Sequence, residues 1–370
     1  MKDKSIYVTQ PQLPPLEELF PFLEQIWDSK VLTNCGPIHK RLEQALCEYL
    51  GVKHIALFNN ATVALITALK ALDVKGEVIT SPYTFVATTH SIKWCDSTPV
   101  FVDIDPDTFN MDPAKVEAAI NERTRAILPV HCYGNPCDVS AIREIADRHG
   151  LAVIYDAAHA FAVKDEGGSV LRHGDMSILS FHATKVFNTL EGGAIICNDV
   201  KIIERINRLK NHGFVDQFTV AEVGINGKLN EISAAFGLVL LSHIDNGLIA
   251  RSRIDRIYRK CLKEVTGIRC IPLCETVVGN HGYFPILIEN NYSLTRDQLS
   301  QALCDEGIYA RSYFYPLTSE FPVYVDLPSS LPLNLPVATR ISRKILCLPI
   351  YPEMTDEQLF QVINAIKNNS

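Results

Sequence analysis

The chain has 370 residues, of which 47% are hydrophobic and 21% charged, the balance of a soluble globular protein with room for two or three domains of about 100–200 residues each. That composition excludes a disordered chain, a collagen-like chain and a coiled coil. A net charge of −7 gives no global field toward nucleic acid or an acidic membrane, so neither is an expected partner; an anionic small ligand would need locally placed cations or N–H groups.

Residues Met1 to Pro15 are polar and proline-bearing and lack the basic-then-apolar order of an export signal. No continuous apolar run reaches the roughly 18 residues of a membrane span. The expected location is the cytoplasm, with the 11 scattered cysteines as reduced core residues. Neither Cys132/Cys137 nor Cys270/Cys274 has the spacing and second pair of a zinc site, so no metal is expected.

In chain order, Leu16–Trp27 and Ile38–Tyr49 carry apolar residues at helical spacing, the second stopped by Gly51. An alternation follows. Strand-like runs at His54–Phe58, Glu77–Thr80, Val100–Asp103, Ala126–Val130 and Ala152–Asp156 are separated by amphipathic stretches at Thr62–Leu72, Val86–Trp94, Pro113–Ile120 and Val139–His149. This predicts βαβ crossovers and a mostly parallel sheet covered on both faces. Ile178–Phe181 and Ala194–Cys197 read as a hairpin-like pair or as late strands of the same sheet. Asn226–Leu262 reads as long helical sequence. Then come a strand (Gly282–Ile288), a helix (Thr295–Glu306), a strand (Tyr309–Tyr315), a surface loop rich in Pro, Ser and Leu (Leu317–Pro336) and a last helix (Thr355–Lys367). The expected division is a large domain over residues 1–240 and a small α+β domain over 241–370.

Ligands of open α/β sheets sit at the carboxyl ends of the strands. After the first such strand, Asn59-Asn60-Ala61-Thr62 opens a helix whose free N–H groups and dipole suit a phosphate; the same residues also make an ordinary helix cap. Asp156 ends a strand and either meets a cation or caps the next helix. Lys185 comes soon after the strand ending at Phe181. In apolar company its amine would lose solvation and gain nucleophilicity; otherwise it is a solvated loop lysine. Phe85 could stack on a ring or join the core. Together, a phosphate cradle, a strand-end carboxylate and a desolvated lysine match what pyridoxal phosphate needs: an anion site, a partner for its pyridine nitrogen and an amine for its aldehyde.

The series Asp156-Ala157-Ala158-His159-Ala160, Ser180-Phe181-His182-Ala183-Thr184-Lys185 and Glu191-Gly192-Gly193-Ala194 resembles the nucleotide-sugar aminotransferases of the DegT/DnrJ/StrS group. Pro129–Gly134 and Leu348–Pro352 are similar to further signatures of that family, and the likeness runs from about Leu32 to the C-terminus. It implies the type I aminotransferase fold, an α/β architecture with a mostly parallel, seven-stranded-type sheet under helices and a smaller C-terminal α+β domain. It also implies pyridoxal 5′-phosphate as cofactor. Lys185 would be the catalytic amine, Asp156 the partner of the pyridine nitrogen, His159 a neighbour of the ring hydroxyl and Phe85 the stacking residue. Ala61, Thr62 and Ser180 would hold the phosphate. Asn226 would reach the phosphate of a partner subunit, making a homodimer the active unit. Gly227-Lys228 replaces a common aromatic–Arg pair.

Within the family, Ser180–Thr189 is similar to enzymes that aminate the 4-keto carbon of dTDP-4-dehydro-6-deoxy-D-glucose with L-glutamate, a reaction serving surface-polysaccharide (O-antigen) synthesis. Amination of a 3-keto nucleotide sugar and a non-catalytic, cofactor-binding regulator are the alternatives. Lys228, Arg311 and Tyr315 are the candidates for the sugar-nucleotide diphosphate.

Overall fold

The computed structural model describes residues 5–369; positions 1–4 of the polar N-terminal stretch lie outside the described residues. The chain opens with strand β1 (Ile6–Tyr7) and helices α1 (Phe20–Ser29) and α2 (Pro37–Leu50). A βα alternation comes next: β2 (His54–Phe58), α3 (Ala61–Ala71), β3 (Glu77–Thr80), α4 (Val86–Trp94), β4 (Thr98–Phe101), α5 (Pro113–Ala119), β5 (Thr124–Leu128), α6 (Val139–His149) and β6 (Ala152–Asp156). A small hairpin, β7 (Lys164–Asp165) with β8 (Gly168–Ser169), precedes β9 (Met176–Ser180), β10 (Gly193–Cys197) and α7 (Val200–Leu209). The last third comprises α8 (Glu231–Leu262), β11 (Ile268–Cys270), β12 (Phe284–Ile288), α9 (Arg296–Asp305), β13 (Ile308–Tyr309), α10 (Pro336–Ser342), β14 (Ile345–Leu348) and α11 (Asp356–Asn368).

Seven strands form one sheet in the order β2-β10-β9-β6-β5-β3-β4. Every neighbouring pair is parallel except the two made by β10. The late pair β9–β10 is therefore both a hairpin and part of the main sheet. These strands read as unbroken apolar runs because helices cover both faces. Leu42 and Leu46 of α2 join Phe236 and Leu240 of α8 in one core. Ala64, Leu65 and Ala68 of α3 join Ile203 and Ile206 of α7 in another.

Helix α8 links this body to the small domain. Its Phe236, Leu240 and Ile244 lie in the large core, and its Ile254, Tyr258 and Leu262 lie in a second core with β12, β14, α9 and α11. A division at residue 240 thus falls inside one continuous helix. By length and mean hydropathy this helix is the one described segment that could cross a membrane, although Ser242, His243, Asp245 and Asn246 interrupt its apolar run; half of its most apolar window is buried. Phe284 packs on Tyr258 with ring centres 4.7 Å apart and planes tilted by 31°, and lies under Arg259 at 5.4 Å. Phe284→Ala is expected to destabilise the small core by about 3–5 kcal/mol, read as a lower urea midpoint for the phase that exposes Tyr258.

Several boundaries differ from the sequence reading. The third and fourth main strands begin and end two residues earlier than expected, at Thr98–Phe101 and Thr124–Leu128. Residues 226–230 are not helical; α8 starts after Asn230, whose side chain accepts from Ser233 N at 2.8 Å. The expected helix over Leu16–Trp27 is a single 3₁₀ turn followed by α1, which has Pro21 in its first turn, where the missing N–H costs nothing. The expected strand Tyr309–Tyr315 stops at Tyr309, after which Phe314 turns inward to pack on Tyr83 and Tyr133. The expected surface loop Leu317–Pro336 holds three 3₁₀ turns. It is anchored by buried Leu317, Tyr324 and Leu335 and by Thr318 N donating to Pro82 O at 3.0 Å. Strand β1, absent from the sequence reading, pairs in parallel with β13 and carries the N-terminus into the small domain.

Candidate active site

Because β2, β3, β5, β6 and β9 run the same way, their carboxyl ends share one edge of the sheet. The segments leaving that edge enclose a cavity of about 310 Å³. Its lining includes Ala61, Thr62, Phe85, Asp156, His159, Ser180 and Lys185, seven residues singled out from sequence.

At one end stands the N-terminus of α3. Asn60 caps it by accepting from Val63 N at 2.8 Å, and Ala64 N bonds to Asn60 O at 3.2 Å. The N–H groups of Ala61 and Thr62 are left at the dipole's positive end. Gly193 keeps this cradle open: a Cβ there would lie 2.6 Å from Ala61 N. Ser180, at the end of β9, is buried beside it.

Asp156 lies across the cavity. Its backbone continues the ladder toward β5 (Asp156 N to Pro129 O, 2.8 Å; His131 N to Asp156 O, 3.0 Å), which fixes where the carboxylate emerges. Thr88 Oγ1 donates to its Oδ2 at 2.7 Å, and Ala158 N donates to its Oδ1 at 3.1 Å. Burial raises the carboxyl above its usual range, opposed by these two bonds and by Lys185. Among the described residues no cationic side chain lies within ion-pair distance of it. An oriented, buried carboxylate without a cation is a site prepared to receive one.

Lys185 sits in a turn closed by Lys185 N donating to His182 O at 2.9 Å. Its Nζ donates to the Tyr283 hydroxyl at 3.0 Å and stands 5.7 Å from that ring's centre. The side chain is half-buried by area, and loss of solvation pulls the ammonium down to about 8, against the raising influence of Asp156 and Tyr313. His159 Nδ1 accepts from Tyr133 N at 3.2 Å, so the ring's proton sits on Nε2. Burial, then Lys185, hold this imidazole well below its usual value and therefore neutral. The motif Pro129–Gly134 acts here through Tyr133 N and through Val130, which lines the cavity.

Phe85 stands at the mouth, 62% exposed, in reach of a ring bound inside and not in the core. Asn226 is exposed on its own chain's surface, outside this cavity. Lys228 also lies outside, its Nζ donating to Asn211 Oδ1 at 2.7 Å. Arg311 and Tyr315 are exposed and do not line the cavity either: Arg311 pairs through its backbone with Cys347, and the Tyr315 ring lies 4.5 Å under the Arg296 guanidinium. Sequence reading missed Thr88, Tyr283, Tyr313 and Phe314. The last three arrive from the small domain, and no local motif marks them. Thr88 lies on the buried face of α4, one turn after Phe85, and only the sheet order brings it to Asp156. A larger hollow of about 680 Å³ behind Tyr133 and Tyr283 contains Asp255, Arg259 and His281. Those side chains already pair with one another, Arg259 with Asp255 at 2.7 Å and His281 with Asp255 at 3.5 Å.

The arrangement supplies an anion cradle, a buried carboxylate and a nucleophilic amine around one small cavity. Residues 16–367 match the model of the DegT/DnrJ/EryC1/StrS aminotransferase family. The chain belongs to this family. It is 52% identical to a dTDP-4-amino-4,6-dideoxy-D-glucose transaminase of Shigella dysenteriae over 99% of both chains. It is also 52% identical to one of Escherichia coli over 99% of both. A solved structure of DesI in the presence of its TDP-sugar product superimposes with a TM-score of 0.94 at 34% identity, covering 99% of this chain and 93% of that one. The family's fold is the one described above, and the expected mostly parallel α/β body is confirmed by this likeness.

Proposed function

We propose that this chain is a pyridoxal 5′-phosphate-dependent aminotransferase that moves the amino group of L-glutamate to the 4-keto carbon of dTDP-4-dehydro-6-deoxy-D-glucose, giving dTDP-4-amino-4,6-dideoxy-D-glucose. The observation that carries the chemistry is the placement of Lys185 Nζ and an uncompensated Asp156 in one cavity. Full-length identity to the named transaminases supports the sugar.

The residues present fit the cofactor. Ala61 and Thr62 N–H groups and the Ser180 hydroxyl would take its phosphate, Asp156 its pyridine nitrogen, His159 Nε2–H its ring oxygen, and Phe85 one face of the ring. When bound, the cofactor supplies an aldehyde that captures amines and a ring that accepts electrons from the carbon being aminated. Lys185 does the proton work. Its amine, free of its own proton near pH 8, would move a proton between the substrate carbon and the cofactor's aldehyde carbon, and Tyr283 holds Nζ in line. Asp156, fixed by Thr88 and Ala158, stays anionic beside a cation and so favours electron flow toward the ring nitrogen. Tyr313 and Phe314 close the cavity from the small domain and exclude water from these groups.

A homodimer completes the site in this reading. Asn226 adjoins a segment with apolar side chains in solvent, Phe218 at 89% and Val223 at 83% exposure, a surface that suits burial against a second copy. Asn226 then reaches the partner's phosphate cradle, and Lys228 serves the diphosphate. Arg311 and Tyr315, both exposed on the small domain, would join it there. The enzyme works in the cytoplasm and feeds surface-polysaccharide synthesis.

The deciding experiment is product analysis by NMR after incubation with glutamate and either the 4-keto or a 3-keto dTDP-sugar. A 4-amino product from the first and none from the second supports the assignment; the reverse overturns it. Lys185 offers a separate check. Because its proton is lost near pH 8 and only the free amine attacks an aldehyde, cofactor uptake by stripped protein is expected to speed up from pH 6.5 and level off above about 8. Stopped-flow absorbance reads this directly, and a profile still climbing at pH 10 would contradict it.

A further inference from the structure

Behind the Asp156 carboxylate runs a short chain of hydroxyls. Thr84, Thr88 and Asp156 are all buried. Thr88 Oγ1 donates to Asp156 Oδ2 at 2.7 Å, and Thr84 Oγ1 lies 2.8 Å from Thr88 Oγ1. Thr84 stands just before Phe85, the residue at the N-cap of α4, and Thr88 belongs to the first turn of that helix, its N–H bonded to Phe85 O at 3.2 Å. Thr84 lines the cavity beside Phe85, whereas Thr88 does not.

The direction of the chain follows from counting protons. A hydroxyl has one proton to give and two lone pairs to fill, and a carboxylate only accepts. The Thr88 proton therefore goes to Asp156. Among the described residues, Thr84 is the other side-chain partner of the Thr88 oxygen, so the Thr84 hydroxyl must donate. A donor that itself receives a hydrogen bond is polarised and donates more strongly, most of all where burial removes the competition of water. The second carboxylate oxygen, Oδ1, is held by Ala158 N at 3.1 Å, a backbone donor that no side-chain change removes.

The titratable groups facing Asp156 come from other elements: Lys185 after β9, Cys132 after β5 and Tyr283 just before β12, with His159 lining the same cavity. Burial raises the Cys132 thiol and the Tyr283 phenol and lowers the His159 imidazole, so these three are neutral near pH 7. Burial also opposes charge on Asp156. What offsets it are the Thr88 and Ala158 hydrogen bonds and Lys185, which lies beyond ion-pair distance.

We propose that Thr84 is a positioning residue for Asp156, a role that rests on the pyridoxal-phosphate reading above: by donating to Thr88 it orients the hydroxyl that holds Asp156 Oδ2 and favours the charged carboxylate that would face the ring nitrogen.

The test compares Thr84→Val, which keeps the shape and removes the hydroxyl, with Thr84→Ser, which keeps the hydroxyl. Full-length protein, stripped of cofactor and isotope-labelled at its aspartate carboxyl carbons, is titrated by NMR, and the Asp156 signal is the one lost in Asp156→Asn. Without its donor the anion is less well supported. In Thr84→Val the Asp156 carboxyl is therefore expected to take up its proton about half a unit to one unit higher in pH, the change that one hydrogen bond gives. Thr84→Ser is expected to titrate as the wild type does. In a Thr88→Val background, Thr84→Val is expected to add no further shift, because its route to the carboxylate is gone. With pyridoxal phosphate labelled at its ring nitrogen and bound to the protein, the nitrogen resonance in Thr84→Val is expected to move toward its unprotonated position. A titration unmoved in Thr84→Val overturns the proposal. So does a shift of full size in the Thr88→Val background, which would place the effect of Thr84 on Phe85 instead. Should valine unfold the protein, the same comparison between Thr84→Ala and Thr84→Ser decides. Wild-type protein that takes up no pyridoxal phosphate would overturn the function proposed above, and the titration would still decide whether Thr84 acts on Asp156.

Discussion

Lys185→Ala is expected to fold normally, to keep a bound cofactor without the absorbance of its lysine-linked form, and to lose transamination by more than about 10³-fold. Two functions leave together. The Nζ that would capture the aldehyde is gone, and so is the base that moves the proton, a role worth about 10²–10⁴-fold by itself. Folding survives because Lys185 belongs to no hydrophobic cluster and, among the described residues, its side-chain hydrogen bond is the one to Tyr283, at 3.0 Å. Single-turnover kinetics with glutamate read the loss, and circular dichroism reads the fold. A variant that still turned over within tenfold of the wild type would remove Lys185 from the mechanism. Added methylamine offers a second reading, because a small amine that fits the vacated space should restore part of the proton transfer and none of the covalent link.

Asp156→Asn is expected to bind the cofactor more weakly and to slow proton removal by about 10²-fold or more. Removing one charge from a buried, hydrogen-bonded pair costs about 2–5 kcal/mol, and a loss of about 3 kcal/mol in the transition state corresponds to roughly 10²-fold in rate. The amide keeps the size of the carboxylate and can still accept from Thr88 or Ala158, so the geometry survives while the charge does not. The apo protein should be as stable as the wild type or more so, because the burial that raises the Asp156 carboxyl no longer acts on an anion. A deuterium effect on the glutamate half-reaction that grows in the variant would place the defect at the proton step; near-normal turnover would refute the assigned role. The comparison also separates the two residues. Lys185→Ala removes the chemical group, whereas Asp156→Asn leaves the group and alters the field around it.

Much of this molecule was legible before any coordinates. The alternation from His54 to Asp156 specified a parallel sheet because each strand is apolar on both faces and each helix carries one stripe. Once the sheet is parallel, its carboxyl edge is the only place where Asn60, Asp156 and Ser180 can meet, so the cavity results from the order of the elements. Lys185 and Asp156 could be paired from sequence for that reason.

Only the tertiary structure decided the rest. The Lys185 partner Tyr283, the lid residues Tyr313 and Phe314, and the Thr88 that steadies Asp156 come from distant segments without local periodicity. The segment Tyr309–Tyr315 looked like a strand by composition, but beyond Tyr309 it keeps a single bridge, Arg311 to Cys347, before Phe314 packs against Tyr83 and Tyr133. Strand β1 is two residues long and gains its place by pairing with β13, which no local pattern encodes. Local sequence determines what a segment can form on its own, namely period, caps and strand ends. Which ring closes over which amine depends on long-range packing, whose contacts are set by the whole chain at once.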